Sequence, residues 1–123
     1  MNAYAQAQSA YAPAAAPTRT ARSAEYEVIA RISHRMNKAI KDDDFTALAE
    51  AIYENNKLWT ALAIDVTDEN NLLPDELRAR IAYLADFTRL HSHKVLQKKE
   101  SAIPLLEINA AILRGLKQEG SGK

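Results

Sequence analysis

The sequence has no cysteine, which excludes disulfides, thiolate nucleophiles and cysteine-ligated zinc. It has only 3 glycines and 4 prolines, too few for a turn-rich β protein, and no segment alternates convincingly with a period of two. No apolar run approaches the roughly 18–20 residues that span a bilayer. Its 16 basic residues balance 16 acidic ones, so no net charge favours nucleic acid or an anionic membrane. We therefore expect one cytoplasmic domain that does not insert into a membrane.

Four segments show the apolar spacing of three, four and seven residues that is typical of amphipathic helices. We predict helices from about Ser23 to Lys41, over 44–66, from Pro74 to about Lys99, and from Pro104 to a C-cap at Gly115. Ser23 and the acidic run 42–44 supply predicted N-caps. Tight connections place consecutive helices antiparallel. The predicted fold is all-α, a small antiparallel bundle of four main helices.

The ends of the chain differ in composition from this helical domain, which we place at residues 23–118. Residues 1–22 form a predicted flexible Ala/Pro-rich arm, and 119–123 form a flexible tail. Alanine and glutamine favour a short helix within the arm, with Tyr4 and Tyr11 on one side of it. Two interpretations stay open: a disordered tail, or an arm that docks through these tyrosines onto the body or a partner.

Two asparagines interrupt the apolar stripes. Asn55 lies between Ile52 and Trp59, the only tryptophan, and Asn109 occupies a comparable place in the last helix. A buried amide must find hydrogen-bond partners, because leaving it unpaired costs about 1–3 kcal/mol. The residues fit a closed core with satisfied polar groups, or asparagines that merely flank the stripe. The alternative is a groove whose polar anchors bind a partner.

Catalysis and metal binding have little support in this sequence. It contains no Gly-rich phosphate loop and no H-E-x-x-H motif. His91 and His93 are two residues apart and point in different directions on a helix, so they do not form a ligand pair. His91 lies on an apolar stripe, where a hydrogen-bonded core histidine is expected. We predict no catalytic residue, no metal, no cofactor and no enzymatic activity.

One helix carries a strip of basic residues. Its members recur at steps of three and four along the first helix: Arg31, Arg35, Lys38 and Lys41. Such a strip is the only sequence support for RNA binding. At zero net charge, a solvated face is the favoured interpretation.

An ordered series of short motifs resembles the FlaF family. They are RSAEY at 22–26, NNKLW at 55–59, NLLPDELRA at 71–79, and LEIN at 106–109 followed by Gly115 and Leu116. The resemblance spans about residues 22–116, and the opening around Tyr11 is similar to the start of the family as well.

The resemblance implies a cytoplasmic factor in assembly of the bacterial flagellum. Its partners would be the amphipathic terminal helices of flagellin, with FlbT and the flagellar export apparatus as further partners. The family is described as flagellin secretion chaperones that also act on flagellin production, in opposition to FlbT. The alternative is a regulator that acts on flagellin mRNA, directly or through FlbT. Six residues are candidates for the partner-binding groove or its support: Asn55, Leu58, Trp59, Leu73, Arg78 and Asn109.

Overall fold

A computed structural model describes residues 21–121, and the side chains of 25–115 among them. Four helices account for most of this range: α1 (Ala21–Lys41), α2 (Phe45–Val66), α3 (Asp75–Leu96) and α4 (Ile103–Ser121). The described residues contain no strand, so the predicted all-α bundle of four helices is confirmed. Tyr4, Tyr11 and the rest of residues 1–20 of the predicted arm lie outside the described residues, as do residues 122–123 of the predicted tail. Residues 119–121 of that tail belong to α4.

The connection between α1 and α2 has the tight geometry that the acidic run predicts. Asp43 adopts a left-handed conformation with a φ of 52°. The Asp44 carboxylate then accepts a hydrogen bond of 3.0 Å from the backbone N–H of Ala47, as an N-cap does. The prediction of an aspartate N-cap for α2 is therefore confirmed.

Three predicted boundaries are wrong by a few residues. Ser23 is not an N-cap, because α1 already begins at Ala21, within a run of strong helix formers. Pro74 lies just before the first turn of α3, with a ψ of 148°. The same helix ends at Leu96 and not at Lys99, since Lys98 adopts a left-handed conformation with a φ of 62°.

Gly115 is also placed differently from its prediction as a C-cap. Helix α4 continues through it to Ser121. A Cβ built at this position would lie 3.4 Å from Cδ1 of Leu77, so the glycine lies directly against α3. The glycine therefore allows α4 to lie close to α3 through its small size, and not through a positive φ.

The helices pack in sequence order around a common core. Helix α2 packs against α1 and α3, and α1 packs also against α4. The neighbours α3 and α4 make the least extensive contact of these pairs. Within residues 21–121 no helix has the length and apolarity needed to cross a membrane.

The core consists of two apolar clusters. The first contains Val28, Ile32, Met36, Ala51, Ile52, Val95, Ala102 and Leu105. The second contains Ile29, Trp59, Leu62, Val66, Leu73, Ile81 and Ile112. Along α2 and α4, the buried asparagines fall between the members of one cluster and those of the other and form a polar layer there, while Leu58 packs against both clusters.

Candidate functional site

The polar layer joins three helices through a chain of side-chain hydrogen bonds. The indole N–H of Trp59 donates to Oδ1 of Asn109 over 2.8 Å. The Asn109 amide group in turn donates to Oδ1 of Asn55 and to Oγ of Ser33, each over 2.9 Å. Trp59, Asn55 and Asn109 are almost completely buried. This chain therefore connects α1, α2 and α4 in the interior of the bundle.

The direction of each bond follows from the chemistry of the groups. An indole N–H can only donate, so Asn109 must turn its oxygen toward Trp59 and its amide nitrogen toward Asn55. Asn55 must then present its oxygen, and its own Nδ2 has no partner among the described residues. The buried hydroxyl of Thr88 on α3 is likewise without a partner there.

Helix α3 carries further polar contacts with the rest of the bundle. Ser92 donates from Oγ to Oδ1 of Asn56 on α2 over 3.0 Å. His91 Nε2 lies 2.9 Å from the carbonyl oxygen of Ser101, and its ring stacks on Phe87. The expectation that His91 is a hydrogen-bonded core histidine is confirmed. These contacts hold the C-terminal part of α3 against α2 and against the turn between α3 and α4.

Two of the remaining candidate residues fill the core, and the third joins two elements. Leu58 is half-buried and contacts both apolar clusters, while Leu73 is buried in the second one. The guanidinium of Arg78 donates from Nε and Nη2 to the Val66 carbonyl over 3.0 and 2.8 Å. It donates also to the carbonyl of Asp68 over 3.0 Å. Arg78 thus satisfies the Val66 carbonyl at the end of α2 and gives a second donor to the Asp68 carbonyl, which also accepts from the N–H of Asn71.

The structure therefore places the six candidate residues in or beside the core rather than on an open surface. Trp59, Asn55, Asn109 and Leu73 are buried, so a partner would reach them only after the bundle opened. A supporting position is compatible with the prediction of a groove or its support. A direct contact with a partner stays a prediction.

The basic strip on α1 is partly neutralised by neighbouring carboxylates. Arg35 pairs with Glu54 on α2. Lys38 donates to Asp42 over 2.7 Å. That hydrogen bond, together with the charge of Asp42, raises the pKa of Lys38 above its ordinary value. The fold reduces the positive charge of the strip, while RNA binding itself stays a prediction.

An open apolar groove runs between α3 and α4, with a volume of about 420 Å³. Eight residues line it: Arg80, Tyr83, Leu84 and Phe87 from α3, and Pro104, Glu107, Ile108 and Ala111 from α4. Leu84 and Ile108 form its floor, because both are half-buried and pack against the second apolar cluster. Tyr83 is 71% exposed on its rim. We call this feature the α3–α4 groove.

Sequence reasoning did not find this groove. Its members recur at helical spacing, as core residues do, and nothing in a stripe distinguishes a side chain that is packed from one that is left open. One signal was present: Tyr83, Phe87 and Leu90 widen the apolar stripe of α3 beyond what one neighbouring helix can cover.

Comparison with known proteins identifies one family. The model of the family described as "Flagellar protein FlaF" matches residues 7–116, nearly the whole chain. No curated protein and no solved structure gives a significant match. The match covers the first three helices and α4 as far as residue 116, and it includes the six candidate groove residues from Asn55 to Asn109 as well as Tyr11.

Proposed function

This chain belongs to the FlaF family of flagellar proteins, and from that premise we propose that it is a cytoplasmic chaperone that binds flagellin before export. Family membership is the observation that carries the proposal. The mechanism is stoichiometric binding: the protein covers the apolar face of a terminal amphipathic helix of flagellin and keeps flagellin unpolymerised. It delivers flagellin to the export apparatus and releases it there, and it thereby also influences flagellin synthesis.

The open apolar surface of the bundle supports a binding role. The interior is closed, with large side chains such as Trp59, Ile81 and Ile112 almost fully buried. Apolar surface is still left open along α3 and α4, where the groove lies. Exposed contiguous apolar surface in a small protein is typical of a site for a macromolecular partner. Binding of this kind needs no catalytic group and no cofactor.

Calorimetric titration of the full-length protein with monomeric flagellin tests the proposal. We expect a one-to-one complex with intact flagellin, and loss of binding when one terminal segment of flagellin is removed. Binding with a negative heat-capacity change would identify burial of apolar surface. A flat titration with intact flagellin, at concentrations of tens of micromolar, would overturn the chaperone role.

The alternative is a regulator that acts on flagellin mRNA, directly or through FlbT. Its test is binding of the flagellin transcript by the pure protein across a range of salt concentrations. Phosphate contacts by the basic strip Arg31, Arg35, Lys38 and Lys41 would make the affinity fall steeply as salt rises. The paired states of Arg35 and Lys38 speak against this alternative. Failure to bind the transcript even at low salt would remove direct RNA binding.

A further inference from the structure

The two walls of the α3–α4 groove each present a helical face. The groove residues lie at 80, 83, 84 and 87 on α3, and at 104, 107, 108 and 111 on α4. Both series have the i, i+3, i+4, i+7 pattern with which a helix packs against another helix. Because α3 and α4 make little contact with each other, these two faces lie open side by side. A third helix could pack into the groove between two such faces.

Exposed apolar side chains are concentrated along these two helices. Among the described residues nine large apolar side chains are exposed, and four of them lie on or next to the groove: Tyr83, Phe87, Leu90 and Ile103. Leu90 lies one helical turn beyond Phe87, and Ile103 lies one turn before Glu107, so both extend the groove at the same end. The apolar surface is therefore longer than the groove itself.

Two exposed aromatic rings elsewhere in the bundle are each covered by a lysine ammonium group. The ammonium group of Lys98 lies 4.6 Å from the ring centroid of Phe45. That of Lys57 lies 5.3 Å from the ring centroid of Tyr53. A cation over the face of an aromatic ring shields it from other contacts. Among the described residues no such cation lies over Tyr83 or Phe87. One face of the Phe87 ring stacks on His91, while the Tyr83 ring is left for a partner.

Two charges of opposite sign stand on opposite walls of the groove. Arg80 on α3 and Glu107 on α4 form no ion pair with any described residue. The two helices are antiparallel, and the contact of Leu77 with Gly115 sets their register. Arg80 is then level with Ile112, five residues away from Glu107. Since a helix rises 1.5 Å per residue, the two charges are offset by about 7.5 Å along the groove.

We propose that the α3–α4 groove is the docking surface for one amphipathic α-helix of flagellin. This inference rests on the proposed function, in which flagellin is the partner. The helix inserts apolar residues spaced i, i+3 or i+4, and i+7 over Leu84 and Ile108. It carries an acidic side chain toward Arg80 and a basic side chain toward Glu107, about five residues apart. The opposite charges fix its register, and the apolar residues supply most of its affinity.

A matched pair of variants tests the surface. Tyr83→Ala removes a tyrosine from the groove rim, and Tyr53→Ala removes one that is similarly exposed, 65% against 71%, on α2. Calorimetry of each full-length variant with intact flagellin should show about ten-fold weaker binding for Tyr83→Ala. Tyr53→Ala should leave affinity within about two-fold. Neither side chain is part of the core, so both variants should fold.

Ala111→Trp and charge reversal provide independent tests. The indole of Ala111→Trp fills the groove, so binding of flagellin should be lost while the circular dichroism spectrum keeps its helical form.

Arg80→Glu should weaken binding, and replacement of the facing acidic residue of flagellin by lysine should restore it. If the wild type binds flagellin and all these variants bind it equally well, the groove assignment is wrong and the chaperone function stands. If the wild type itself does not bind, the proposed function fails.

A label in the groove distinguishes flagellin from other occupants. The chain has no cysteine, so Ala111→Cys can carry a single environment-sensitive fluorophore. Addition of flagellin should shift its emission to shorter wavelength, and a label at Tyr53→Cys should not respond. A shift that depends only on the concentration of this protein would identify a second copy as the occupant. If the label emits at short wavelength without flagellin, and deletion of residues 1–20 moves the emission to longer wavelength, the N-terminal arm is the occupant. Either outcome would overturn the proposed occupant.

Discussion

The indole N–H of Trp59 donates a hydrogen bond of 2.8 Å to the side-chain oxygen of Asn109, although the two residues are 50 positions apart in the chain. This bond joins α2 to α4 across the bundle. Because an indole can only donate, it fixes the orientation of the Asn109 amide and, through it, that of Asn55. Each helix in the layer is therefore held at one axial position relative to the others.

Asn109→Ala should destabilise the bundle severely. It removes the bonds to Trp59, Asn55 and Ser33 and leaves buried donors and acceptors unpaired. At about 1–3 kcal/mol for each unpaired group, we expect the free energy of unfolding to fall by at least about 3 kcal/mol. Urea denaturation followed by circular dichroism measures it. Asn70→Ala, the same change at an exposed position, should stay within about 0.5 kcal/mol. A loss below about 1 kcal/mol for Asn109→Ala would contradict the account of the layer.

Trp59→Phe separates the hydrogen bond from the burial of the ring. Phenylalanine retains an aromatic ring in the core but has no N–H, so Oδ1 of Asn109 loses its donor. We expect a loss of about 1–3 kcal/mol in the free energy of unfolding. Trp59→Ala should lose about 3–5 kcal/mol, because it also leaves a cavity. Equal stability of Trp59→Phe and the wild type in thermal and urea denaturation would mean that the bond contributes nothing.

Arg78→Lys tests the connection between α2 and α3. Lysine cannot reproduce the planar fork that binds the carbonyls of Val66 and Asp68 together. We expect a loss of about 1–2 kcal/mol and faster amide hydrogen exchange in residues 67–71. Arg89→Lys is the matched control, since the pair of Arg89 with Asp86 is exposed and should change stability by less than about 0.5 kcal/mol. Unchanged exchange in Arg78→Lys would show that the loop is held by other contacts.

Gly115→Ala should be tolerated or stabilising. Glycine lies inside α4, where alanine is favoured by about 0.5–1 kcal/mol. The added methyl group would meet Cδ1 of Leu77 at 3.4 Å, which the flexible leucine can accommodate. We expect a midpoint of thermal unfolding equal to or above that of the wild type. Gly115→Val, whose branched side chain would crowd Leu77, should lower the midpoint. If Gly115→Ala also lowered it, α4 would need the glycine backbone for another reason.

The periodicity of the sequence predicted the four helices and placed Asn55, Trp59 and Asn109 on apolar stripes, without deciding whether the asparagines are buried. It could not predict which asparagine binds the indole, because that pairing depends on how α2 and α4 meet in three dimensions. Neighbouring leucines in the loop before α3 illustrate the same limit. Leu73 is buried while Leu72 is 85% exposed, a difference set by the path of the backbone.

The groove was beyond sequence reasoning for a related reason. A helical stripe reports which side chains share a face, and not whether a neighbouring helix covers that face. Tyr83 and Ala111 fall on regular stripes of α3 and α4, and only the loose packing between these helices leaves them open. Gly115 was predicted as a C-cap from its place in the sequence, because its contact with Leu77 is likewise visible only in the fold.

Polymerisation of flagellin, followed by light scattering as this protein is added, is a direct test of the chaperone function. We expect polymerisation to fall in proportion to the added protein and to stop at one copy per flagellin. Tyr83→Ala should require a clear excess to reach the same effect, and Tyr53→Ala should behave as the wild type does. Polymerisation that proceeds at its normal rate with the wild-type protein in several-fold excess would contradict the chaperone account.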